Sequence, residues 1–261
     1  MKKTVAIFQA EMKHFFYSPI AYVVIALFTV IVGYFFYSNL SWFVEQQYMD
    51  MMRSSQFGGM GRARLNVNLH VITPYFFNVA LISLFILPLV TMRLYAEEKK
   101  AGTVELLYTT PVSVGNIVIG KWLAGVVFYL IMLAPTVVFN LLLFLYGNPD
   151  SLPVLAGYLG LVLFGGAFVA VGLWISSLTE NQIIAAIGSF GLSLLLWVIS
   201  WAAEFSGELL APVFKYLSII NHFEDFARGI LDTQHLAYYL LLISTGMFLT
   251  FKSIESSRWK A

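Results

Sequence analysis

Gly115-Asn116-Ile117-Val118-Ile119-Gly120-Lys121-Trp122 is the stretch of this sequence nearest to a chemical motif. A phosphate loop runs G-x-x-x-x-G-K-[ST]: backbone amides cradle the phosphates, the lysine reaches the outer ones, and the hydroxyl holds magnesium. The spacing here is right as far as Lys121, but Trp122 stands where the hydroxyl belongs and offers magnesium no oxygen. An apolar run follows, and no hydrophobic strand ending in aspartate supplies a second metal contact. No nucleotide site is expected. Lys121 and Trp122 read instead as an anchor pair at a membrane surface. His222 and Asp225, three residues apart, can supply two metal ligands, which do not make a site. The chain has no cysteine, which excludes disulfides, thiolate metal sites and a thiol nucleophile together.

The elements around these residues are set by composition. Of 261 residues, 59% are hydrophobic and only 11% charged, with mean hydropathy +0.81. A soluble domain carries about a quarter charged residues. The fold class expected is therefore an all-α integral membrane protein, a single membrane domain over residues 1–261. Apolar runs near the ~20 residues that span hydrocarbon place six helices at Ile20 to Asn39, Val71 to Met92, Trp122 to Tyr146, Leu152 to Ser176, Gln182 to Ala203 and His235 to Phe251. Met1-Lys2-Lys3 can open a signal peptide, but Glu11, Lys13 and His14 interrupt the apolar stretch one requires, so the first span is expected to be retained.

Six spans put both termini on one side. Ten lysines and arginines fall on that side and five on the other, so positively charged short loops place both termini in the cytoplasm. The spans hold no Asp, Glu, Lys or Arg. Ion-coupled carriers and intramembrane hydrolases keep ionisable groups at the depth of their work, so both classes are disfavoured. Small residues recur four apart at Ala156 and Gly160, Gly166 and Ala170, and Ala185 and Ser189. That spacing lets helices approach closely within one chain, or less often across a dimer seam.

The segments between spans carry more. Residues 1–19 form an amphipathic helix with Val5, Phe8, Met12, Phe15 and Phe16 in one arc, suited to lie on the inner leaflet among anionic lipids. Residues 40–70 form a long outer loop holding Met49, Met51, Met52 and Met60 and loosened by Gly58, Gly59 and Gly61. Thioethers suit copper(I), though more often such methionines are adaptable contacts for a partner or the membrane surface. In residues 204–234, Asn221 can cap a helix on which Phe223, Phe226, Ala227 and Ile230 share a face and Glu224 pairs with Arg228. Residues 93–121 are far longer than a tight turn needs. Gly102 breaks a helix there, Thr103 can cap a short new one, and Pro111 stops it. Val104, Leu107 and Tyr108 share its apolar face, which suits a partner's groove.

The run from Arg93 to Lys121, with its acidic pair, Gly-Thr, Glu-Leu-Leu, proline and Gly-Lys, resembles the coupling region of ABC-2-type transporter permeases. Phe15-Phe16-Tyr17-Ser18-Pro19-Ile20-Ala21-Tyr22, leading into span 1, is similar to the gliding-motility-type subgroup. The resemblance covers nearly the whole chain. It implies a multi-pass permease of the bacterial inner membrane that hydrolyses nothing and binds no cofactor. ATP and magnesium would sit on a separate P-loop ATPase below two permease copies, or this chain and a related one. It assigns the ATPase contact to Glu97, Glu98, Gly102, Thr103, Glu105, Leu106, Leu107, Tyr108 and Pro111, and makes residues 1–19 a connecting helix that also touches the ATPase, a reading the sequence leaves open beside surface anchoring. It also makes His222, Phe223, Asp225, Phe226 and Arg228 part of an extracytoplasmic helix dipping into the outer leaflet, open to an outer-face partner. Nucleic acid is not an expected partner. The runner-up reading is a membrane scaffold that docks proteins on both faces and moves nothing.

Overall fold

The structure is a computed structural model that describes residues 2–56, 66–104, 112–147 and 149–258. Among them there is no strand, and six helices are long and apolar enough to cross a membrane. The chain opens with α1 (Lys2–Tyr17) and turns at Ser18 into α2 (Pro19–Gln56). Pro19 takes the first helical position, where a missing N–H costs nothing, and the Ser18 hydroxyl accepts from the Ile20 amide at 3.3 Å.

The first span was expected to end near Asn39, with a loose loop to follow. Instead α2 continues through Gln56, because residues 40–56 contain neither glycine nor proline to stop it. At about 1.5 Å per residue a helix of 38 residues is about 57 Å long, well beyond the ~30 Å of hydrocarbon. Met49, Met51 and Met52 thus sit exposed on regular helix, not in a glycine-loosened loop. Met60 lies outside the described residues.

A π-helical turn (Asn68–Ile72) leads into α3 (Thr73–Thr91), and a break at Met92 gives α4 (Arg93–Lys100). Then comes α5 (Val114–Tyr146), capped by Ser113, whose hydroxyl accepts from the Asn116 amide. It is followed by α6 (Ser151–Leu178) and α7 (Gln182–Phe205), the latter capped by Asn181. Two short helices, α8 (Ala211–Leu217) and α9 (Ile219–Ala227), precede α10 (Thr233–Arg258). At the end of α9, Gly229 takes φ +89° while the Ile230 amide reaches back to the Asp225 carbonyl at 2.8 Å. That left-handed turn and six-residue bond are a Schellman stop.

α6 is the axis of the molecule. It packs against α3, α4, α5, α7, α9 and α10, and 78% of its apolar window is buried. Its small residues make the approach possible. A Cβ on Gly157 would lie 2.3 Å from the Phe76 ring, one on Gly165 2.1 Å from Tyr129, and one on Gly172 2.1 Å from Thr91. The small pairs read in the sequence serve this packing: Ala156, Ala170, Ala185 and Ser189 are all buried within the chain. By contrast only 22% of the α2 window and 17% of the α7 window are buried, so these two helices present apolar faces outward.

In an open helix, Gly165→Ala would stabilise by about 1 kcal/mol through backbone entropy. Here the methyl group meets Tyr129, and overpacking costs about 1–3 kcal/mol. Thermal unfolding in mild detergent should show a lower Tm for Gly165→Ala. Gly191→Ala, where a Cβ meets nothing within 4 Å, should leave Tm unchanged or raise it.

Candidate functional site

The sequence Gly115 to Trp122 is helix throughout, the first turns of α5. A phosphate loop wraps its amides around a ligand, whereas here they are spent along the helix. Each polar residue of the stretch has another use. Asn116 Oδ1 accepts from the Thr4 hydroxyl at 3.1 Å, and Gly120 lies where α1 crosses, so that a Cβ would be 2.9 Å from Ile7. Trp122 Nε1 donates to the Gly166 carbonyl at 2.9 Å, tying α5 to α6. The motif-like stretch is the seat of α1.

Lys121 is not at the lipid surface. It is 1% exposed and gives all three ammonium protons to acceptors: Glu11 Oε1 at 2.5 Å, the Leu94 carbonyl at 2.6 Å and Glu98 Oε1 at 2.8 Å. An ammonium has three donors, so none is wasted. One side chain on α5 thereby holds α1 and α4 together. Phe15 stacks on Phe128 at 4.8 Å and fixes the far end of α1 on α5. The arc expected to lie on lipid is thus largely turned onto protein, although Val5 remains half exposed.

α4 is also held from α6. The break at Met92 leaves the Tyr95 amide without a helical acceptor, and the Ser176 hydroxyl accepts from it at 3.1 Å and from the Ala96 amide at 3.0 Å, while donating to the Met92 carbonyl. Lys99 donates to the Ser177 carbonyl at 2.7 Å. Between α1 and α4 lies a cleft of about 370 Å³ lined by Glu11, Glu97, Glu98, His14, Arg93 and Lys121, among others. Glu97 faces His14 at 3.6 Å, an exposed pair of small worth. Glu97 Oε2 and Glu98 Oε2 have no hydrogen-bond partner among the described residues.

The expected coupling residues are thus partly located. Glu97 and Glu98 line the cleft, with Glu98 already engaged by Lys121. Gly102 takes φ +69° and ends the helix as read. The Thr103 hydroxyl donates back to the Glu98 carbonyl at 3.2 Å, closing the helix behind it. Glu105, Leu106, Leu107, Tyr108 and Pro111 lie outside the described residues. Glu11, Lys121 and Ser176 were missed as site residues. Glu11 carried a signal, since it shares the helical face of Phe8 and Phe15 at three- and four-residue spacing.

At the opposite end, His222, Phe223 and Phe226 of α9 are buried, with Phe226 and Phe223 seated over Gly160 of α6. Arg228 pairs with Glu224 one turn back. Asn221 does not cap the helix. Ser218 precedes it, and Asn221 Nδ2 donates instead to the Lys215 carbonyl. His222 Nε2 donates to the Tyr216 carbonyl at 2.8 Å, and its Nδ1 meets Nδ1 of His235 at 2.6 Å. His235 Nε2 in turn lies 2.6 Å from Asp225 Oδ2. His222 sits below the ordinary histidine pKa, because burial disfavours its charged form.

The family model described as ABC-2 family transporter protein matches residues 5–252. The chain belongs to that family. No curated protein matches it. It is a multi-pass membrane permease subunit of an ABC transporter, and family permeases are non-catalytic transmembrane subunits.

The triad around Lys121 makes a prediction for this permease. Removing one member of a buried ion cluster costs about 3–5 kcal/mol, whereas replacing the whole cluster with apolar or neutral groups is often near neutral. Lys121→Met should lower Tm sharply in detergent. Adding Glu11→Gln and Glu98→Gln to it should recover much of the loss.

Proposed function

We propose that this permease works with a separate P-loop ATPase that docks at the Lys121 end, and that this end faces the cytoplasm with both termini. Two permease copies, or this chain and a related one, would complete the membrane part, and the assembly would move cargo outward or transmit ATP-driven motion to outer-face partners. The observation that carries the reading is the Lys121 cluster. A push on residues 93–111 reaches α4, and α4 is bonded through one ammonium to α1 and α5 and through Ser176 to α6. Those contacts let one small contact region act on four helices at once.

Three further features support it. The cleft between α1 and α4 is lined by the carboxylates of Glu97 and Glu98, a fit for a basic side chain of the ATPase. The positive side of the charge count lies at this end. The outward apolar faces of α2 and α7 provide surface for a second copy or for lipid. With no Asp, Glu, Lys or Arg in the apolar middle of the spans, lipidic or amphipathic cargo suits the path better than a small ion.

Purification of the full chain from its native membrane in mild detergent should bring a P-loop ATPase with it. Leu107→Arg should release that ATPase, and Glu97→Lys should weaken its binding by about tenfold or more, the ~1.4 kcal/mol that a lost charge contact readily costs. Both variants should keep the wild-type Tm. A chain that comes alone, with no ATPase bound in reconstitution, would leave the scaffold reading in its place.

A further inference from the structure

We propose that His222, His235 and Asp225 form a one-proton site that latches α9 to α10, intact at one protonation count and loosened by a proton more or a proton less. The count follows from the acceptors. The Tyr216 carbonyl has no proton to give, so His222 Nε2 must carry one. The contact between His235 Nε2 and Asp225 holds a second, donated by the imidazole to the carboxylate or by a carboxyl to the ring. That leaves the two Nδ1 atoms facing each other at 2.6 Å. With no proton between them two lone pairs collide; with two protons, two N–H groups do. One proton makes it a hydrogen bond. The complete chain therefore holds three protons and has no net charge, the pair's single positive charge being balanced by Asp225.

The surroundings favour that state. The titratable and charged groups brought against the pair are Tyr216 from α8, Asp225 from α9 itself, and Tyr238 from α10, whose ring stacks on His222 at 3.9 Å. His222 is 3% exposed and the His235 side chain 13%, while Asp225 is about one-third exposed, so the proton can exchange from the Asp225 side. His222 is held below the ordinary histidine range by burial, which makes it the neutral acceptor of the shared proton. For a base with a lowered pKa in the folded protein, the contribution from its neutral form is present above the unfolded value, about 6.5, and is lost as pH falls through the folded one. Acid thus adds a proton at His222 Nδ1 and parts the rings. Alkali removes the shared proton and opposes the lone pairs.

Tyr238 and Tyr239 donate to the Leu217 and Ile219 carbonyls at 2.8 and 3.0 Å. These bonds keep α10 beside α8 and α9, so the latch loosens without releasing them. If this end faces outward, as proposed above, the site responds to external pH. The proton count itself does not depend on that orientation.

The test uses the full chain in lipid nanodiscs with nitrogen-15 histidine, His14 and His70 serving as references in the same sample. Over a plateau of pH, one Nδ1 of the pair should give a protonated shift and His222 Nδ1 an unprotonated one. As pH falls through the lowered folded value of His222, below the ordinary histidine range, both should become protonated, and amide exchange across Ile219–Ala227, corrected for its intrinsic pH dependence, should accelerate. His222→Gln supplies a neutral donor and acceptor at every pH and should abolish the acid acceleration. Asp225→Asn takes away the carboxylate that balances the pair's charge and should accelerate amide exchange across Ile219–Ala227 on the plateau itself. Two bare Nδ1 atoms throughout the plateau would overturn the proposal. So would an acid acceleration that persists in His222→Gln, or plateau exchange that Asp225→Asn leaves unchanged.

Discussion

Helices surrounded by hydrocarbon gain nothing from hiding apolar surface on one another, so their association depends on how closely their backbones can come. In this permease that constraint is met by α6. Its glycines leave gaps that Phe76, Tyr129 and Thr91 fill, and Gly246 of α10 lies against the Ala170 backbone. α3, α5, α9 and α10 are placed by those contacts. α2 and α7 lack a comparable seam and stay at the edge, with most of their surface facing outward.

Once the apolar packing is set, charge has only two places to go. At one end Lys121 is buried, but each of its donors finds an oxygen, one on α1 and two on α4. At the other, two histidines and an aspartate form an unbroken hydrogen-bonded line. Between them some buried hydroxyls and amides serve one another, such as Ser83 with Tyr129 and Asn140 with Tyr158. α6 touches both ends, through Ser176 and Ser177 at α4 and through Gly160 at α9. A helix is stiff along its axis, so displacement of one end is felt at the other.

Much of this was legible in the chain. The six spans follow from apolar runs, Gly102 ends its helix as its lack of a Cβ suggests, and the Glu224–Arg228 pair forms at its four-residue spacing. The misreadings have a common source. Lys121 beside Trp122 has the local signature of a surface anchor, and only the crossing of α1 over Gly120 turns it into a buried hub. Asn221 followed by Glu224 has the signature of a cap, yet the chain begins the helix one turn's fraction earlier, after Ser218. Residues 40–56 were read as loop because the hydropathy falls, but falling hydropathy ends a membrane span and does not end a helix.

By itself the sequence determined the elements: an all-α membrane chain of six spans, where most helices start and stop, and no cysteine chemistry. These are local properties of composition, periodicity and glycine or proline placement, and they need no knowledge of what lies opposite. Only the tertiary structure decided which polar residues act together. Glu11 and Lys121 are 110 positions apart, His222 and His235 are 13 apart, and Ser176 serves amides 80 residues away. Such contacts are set by how α6 brings its neighbours within reach, and hydrogen bonds fall off within tenths of an ångström, so no spacing along the chain could have announced them.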